Sequence, residues 1–242
     1  ERRAIRLFAP HLPASAACLS LLSPFSLFLY GVIPLIPKAV EKSMRCDIIA
    51  HMNDHSWKKT LQALFAFLII PALNIIAFCK TGALQTNLSD LSRDSPLFLL
   101  LWGGCSALNF LLMSRLCYRR CGYTKKKARS LWLYASCLCM VLCVILPYDP
   151  VHAPALSQWH VRLGFIGTLC YLLQFLHFLL ISIDEGWLFL RPFLYAYVLI
   201  CFFSIYTTAL SGGVTGMSEV TFSFAMSIYL YVLARACERQ TP

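Results

Sequence analysis

Seven long apolar runs constrain this chain more than any other feature. They cover Ala14–Ile36, Leu61–Cys79, Pro96–Ser114, Leu131–Pro147, Leu163–Ile183, Pro192–Leu210 and Ser218–Ala234. Each approaches the ~20 residues a helix needs to cross a hydrocarbon core about 30 Å thick. Only Glu219, at the mouth of the last run, carries a formal charge inside these limits. Backbone groups in lipid must pair within their own segment, and no strand-like alternation competes, so the runs predict helices. The expected fold is all-α: a polytopic transmembrane bundle of six core helices plus an N-terminal hydrophobic segment, seven spans in all. Charged residues make up 13% of the chain, about half the usual share for a soluble domain of roughly 25%.

Charge orients the spans. The net charge of +10 would suggest nucleic acid in a soluble protein. Here the basic residues sit in loops, where they set topology and meet anionic lipid headgroups, so no nucleic-acid partner is expected. Lys38, Lys42, Arg45, Lys58 and Lys59 crowd one loop; Arg115, Arg119, Arg120, Lys125, Lys126, Lys127 and Arg129 crowd another. Loops 148–161 and 211–217 hold neither Lys nor Arg. The positive-inside rule therefore predicts a cytoplasmic C-terminus. Residues 1–58 form the expected N-terminal unit and 59–242 the six-helix core. The first segment carries Arg2, Arg3 and Arg6 on the wrong side for a span, and Pro24 and Pro34 interrupt it, so a re-entrant course competes with a true crossing. Val40, Met44, Ile48 and His51 follow a helical period and predict a surface helix. The chain begins at Glu1, which leaves room for an upstream domain.

This topology sorts polar residues to one membrane face. Ser89 and Asp90 lie in the loop before Pro96; Asp149 ends the fourth run, His152 and His160 flank the fifth, and Glu219 opens the seventh. Carboxylates and imidazoles at one depth suit a divalent, zinc-like ion or acid–base chemistry. Asp149, His160 and Glu219 are the candidate metal ligands, with Asp90 or His152 as the candidate acid–base group. Each also has a plain structural role: Asp149-Pro150 as a helix stop, Ser218-Glu219 as a cap and dipole partner, His160 as an interfacial side chain. Within the spans, Asn74, Asn109, Gln174 and His177 are expected to act as hydrogen-bond glue between helices. Gln174 falls near the helix face of His160. Cys117 and Cys121, four residues apart in "CYRRC", read as a basic helix end rather than a metal site. No phosphate-cradling glycine loop, His-Glu-x-x-His motif or nucleophile elbow occurs. No cofactor is expected beyond that candidate metal.

The order "LSDLSRDSP", "LPYDP", "WHVRLGF", "SGGVTGMSEVTF" resembles a bacterial family of six-helix membrane proteins of unknown function. It is more distantly similar to the DRAM/Sfk-type proteins associated with autophagy and membrane-lipid handling. The resemblance covers roughly residues 60–236, and Ser89, Asp90, Asp149, His160 and Glu219 match that group's polar positions. It implies a six-helix core in a bacterial plasma membrane and brings no reaction with it. Three functions follow. The first is lipid binding, sensing or scaffolding, with membrane lipids, a protein partner or a second copy as partner. The second is a lipid hydrolase or transferase with a metal-dependent outward site, which requires convergence of Asp149, His160 and Glu219. The third is a small-solute transporter, which requires a polar path to the midplane near Gln174 and Asn109.

Overall fold

The computed structural model describes residues 56–81, 87–123, 127–211 and 214–240. The expectations for segment 14–36 and the surface helix at 40–51 lie outside these residues. The chain divides into two compact units, Glu1–Met44 and Arg45–Pro242, and the described residues belong to the second.

Every described regular element is helical. They are α1 (Ser56–Leu64), a π-turn (Phe65–Ile69), α2 (Ile70–Thr81), a 3-10 turn (Leu88–Asp90), α3 (Leu91–Asp94), α4 (Pro96–Arg120), α5 (Lys127–Ile145), α6 (Pro154–Asp184), a second 3-10 turn (Leu188–Leu190), α7 (Arg191–Leu210) and α8 (Gly216–Gln240). Six stretches are long and apolar enough to cross a membrane: Lys59–Lys80, Pro96–Arg120, Ala128–Ile145, Pro154–Asp184, Leu188–Leu210 and Gly216–Gln240. The chain is an integral membrane protein with an all-helical transmembrane core.

Local sequence explains the element ends. Pro71 has no N–H to give the turn before it. The backbone there widens into a π-turn, with the Ile70 N–H reaching the Phe65 carbonyl, which lets the helix continue through the proline. Pro96, Pro154 and Pro192 each sit in a first helical turn, where the missing donor costs nothing. Pro154 moves one boundary. The apolar run begins at Leu163, yet the helix begins at Pro154 and includes His160. At 31 residues and 1.5 Å each, α6 is about 46 Å long and outreaches the hydrocarbon. Its polar first turns can therefore be helical, with the Arg162 guanidinium over the Trp159 ring. His160 lies inside the helix rather than flanking it. Asp149, in turn, lies beyond the fourth span, since α5 ends at Ile145.

The α8 helix is the hub. It packs against α2, α4 and α7, while α5 bridges α4 and α6 and α6 also meets α7. Of its span, 67% is buried in protein, against 22–44% for the other five. Composition explains the difference: Gly216, Ser218, Thr221, Ser223, Ala225, Ser227, Ala234 and Ala236 are small and buried. Without a hydrophobic drive between helices in lipid, small residues admit the close approach that dispersion and interhelical hydrogen bonds need. An aromatic core of Tyr171, Phe175, Tyr197 and Tyr229 joins α6, α7 and α8.

Candidate functional site

Some of the polar residues expected on one face, Glu219 and His160 among them, meet the loop between α2 and α4. Asn87 and Asp90 form a capping box. The Asn87 side chain accepts the Asp90 N–H at 3.0 Å, and the Asp90 carboxylate accepts the Asn87 N–H at 3.2 Å. This turns residues 88–90 into one 3-10 turn with Ser89 at its middle. Leu88 and Leu91 plug into an apolar cluster with Ala77 and Leu99, which pins the turn from below. The Leu88 N–H donates to Glu219 Oε2 at 2.8 Å. Ser92 Oγ binds both the N–H and the carbonyl of Tyr148, each at 3.0 Å. The turn is thus fastened to α8 on one side and to the α5–α6 loop on the other.

Ser89 and His160 meet there. Ser89 Oγ lies 2.8 Å from His160 Nε2, and His160 Nδ1 lies 2.8 Å from the Leu146 carbonyl oxygen. A carbonyl only accepts, so Nδ1 carries the proton and Nε2 is left to accept the Ser89 O–H. The imidazole is 4% exposed, and Ser89 is half-buried. A serine hydroxyl donating to an imidazole whose second nitrogen is anchored is the arrangement of nucleophile and general base. Here the anchor is a backbone carbonyl where hydrolases commonly use a carboxylate.

The other candidates go elsewhere. Asp149 pairs with the exposed His152, ring Nδ1 to carboxylate at 2.8 Å, and accepts the N–H groups of His152 and Val151. The His152 N–H, then its ring, hold the Asp149 carboxyl below the usual carboxylate range. Asp149 in turn donates its own N–H to Ser157 at 2.8 Å. Glu219 binds Leu88, and His160 binds Ser89 and Leu146. The three expected metal ligands have three separate sets of partners. Among the described residues no group of three or more His, Cys, Asp or Glu side chains could hold a metal ion. Asp90 is a capping residue, exposed at the turn. The cap of α8 is Thr215 rather than Ser218: the Thr215 N–H reaches Ser218 Oγ, and the Ser218 N–H reaches Thr215 Oγ1.

The intramembrane polar residues do join helices. Asn74 accepts from Trp102 Nε1 at 2.7 Å and donates to Ser223 at 3.4 Å. Asn109 donates to Ser227 at 2.7 Å. Gln174 donates to the Arg129 carbonyl, and His177 Nδ1 meets the Tyr123 hydroxyl at 2.6 Å. Gln174 and His177 therefore belong to the far end of α6, away from His160. Asn109 and Gln174, the two residues a transporter path would need, have different partners, Ser227 and the Arg129 carbonyl. Cys121 gains a partner that spacing did not reveal: Cys237 Sγ lies 3.7 Å away, and Cys117 is buried on the same helix end.

No family model, curated protein or solved structure matches this chain.

Proposed function

We propose that this membrane protein is an acyl hydrolase or transacylase acting on lipid esters, with Ser89 as nucleophile and His160 as general base. The hydrogen bond from Ser89 to His160, with the tautomer set by the Leu146 carbonyl, carries the proposal. The step balances without a metal. Ser89 Oγ attacks the ester carbonyl carbon as its proton passes to His160 Nε2. The imidazolium keeps its Nδ1–H on Leu146 and protonates the departing alcohol as the ester C–O bond breaks. Water, or a second alcohol, then releases the acyl group from Ser89 by the same proton route reversed. A neutral carbonyl stabilises the imidazolium less than a carboxylate does, so turnover is expected to be slow.

A lipid substrate suits the location, since Leu97, Val151 and Trp159 expose large apolar surfaces near the site. The wider expectations belong to the same proposal. They are an outward-facing site opposite the basic loops, a cytoplasmic C-terminus, anionic headgroups at those loops, and kinship with the six-helix bacterial family.

Activity-based labelling with a fluorophosphonate tests it on detergent-purified protein. Wild type should label, Ser89→Ala should not, and His160→Gln should label about 10²–10⁴-fold more slowly, the usual worth of a general base. No labelling of wild type, or equal labelling of Ser89→Ala, overturns the catalytic proposal. The Ser89–His160 contact would then be a lock between loop and helix, in a protein that binds or senses lipid or scaffolds a partner.

A further inference from the structure

A different polar group lies deeper, where α4 and α8 cross with α2 alongside. Ser106 and Asn109 are three apart on α4, and Ser223 and Ser227 four apart on α8, so each pair shares a helix face. Two rungs join them: Ser106 to Ser223 at 3.3 Å, and Asn109 Nδ2 to Ser227 Oγ at 2.7 Å. All four side chains are at most 7% exposed.

The hydrogens in this box do not balance. Asn109 Oδ1 is buried and has no donor. Asn74 already donates to Ser223, and whichever serine of the upper rung donates to the other, one hydroxyl hydrogen of that pair is left over. Ser227 accepts from Asn109, so its own hydrogen is left over too. The described residues thus offer one acceptor lacking a donor, and two hydroxyl hydrogens and the second Asn109 amide hydrogen lacking an acceptor. Leaving such groups unpaired in an apolar interior is destabilising.

We infer that this box is an internal binding site for one water molecule. Water can donate to Asn109 Oδ1 and accept from Ser227 and from the Ser106–Ser223 pair. Three bonds is the usual complement of a buried water. Asn109 lies close to the middle of α4 (Pro96–Arg120), so the site sits near the bilayer midplane. Glu219, Ser223 and Ser227 recur every four residues along α8, which places the site about 12 Å below Glu219 on one face. The box therefore marks the inner end of a polar line that begins beside Ser89.

Hydroxyl-radical footprinting by a short X-ray pulse tests this, because the radical forms at the bound water itself. Phe110 is 5% exposed and adjoins Asn109; Phe175 is 0% exposed in the aromatic core. With the protein in nanodiscs, Phe110 should be oxidised several-fold faster than Phe175. Asn109→Leu should bring Phe110 down to the Phe175 rate. Ser227→Ala, a smaller change, should lower it in a protein with wild-type thermal unfolding, which covers the case where Asn109→Leu misfolds. Equal protection of Phe110 and Phe175 in wild type overturns the inference. So does a Phe110 rate that neither variant changes.

Discussion

His160 draws its meaning from two atoms that its neighbours in sequence do not supply. Ser89 is 71 residues away and the Leu146 carbonyl 14. That His160 and Ser89 faced the same membrane surface followed from charge and span counting. Their contact did not, because a backbone carbonyl leaves no mark in sequence. Asp149 shows the reverse: its partners, Val151 and His152, are local, and a carboxylate beside a proline predicts such a turn. Asp149 also carries a pH prediction. Hydrogen bonds lower its folded-state pKa from 3.8. Its stabilisation is therefore complete above that ordinary value and disappears as pH falls through the depressed one. Thermal midpoints taken down the acid limb should converge between wild type and Asp149→Asn, with the wild-type advantage confined to higher pH. A constant difference across the limb would show that the carboxylate charge contributes nothing.

Helix existence was legible element by element, because six uninterrupted apolar runs leave a backbone in lipid little choice. Helix ends were less so. Hydropathy began the fifth run at Leu163, while Pro154 starts the helix, and hydropathy does not report a polar helix that emerges from the bilayer. Packing between elements depends on single small residues that sequence alone does not rank. A Cβ on Gly167 would lie 3.0 Å from Cys139 Cβ, from the Met140 nitrogen and from the Ser136 carbonyl oxygen. Two of these atoms are backbone and cannot turn aside. Gly164, by contrast, would meet chiefly the Cys143 sulfur, at 2.9 Å. Gly167→Leu should force α5 and α6 apart and cost about 1–3 kcal/mol, the usual penalty of overpacking. The shift would be read from the midpoint of unfolding in SDS, and an unchanged midpoint would mean the helices are not held this close.

The bundle is inside-out only in part. Its lipid face exposes Phe202 at 64%, while Phe175 at 0% is surrounded by Tyr118, Tyr171, Phe178, Tyr197 and Tyr229. Phe175→Ala should cost about 3–5 kcal/mol through the cavity it leaves. Phe202→Ala should stay within about 0.5 kcal/mol, as surface changes usually do. Equal losses in SDS unfolding would refute this division between core and lipid face. By itself the sequence determined that the chain is membrane-embedded and helical. These are properties of composition and period, which each segment carries alone. Tertiary structure decided that α8 is the hub, that Asp149, His160 and Glu219 part company, and that Ser89 finds His160. Those outcomes depend on angstrom-scale approach between helices far apart in the chain, set by glycines, serines and backbone carbonyls whose partners no local pattern encodes.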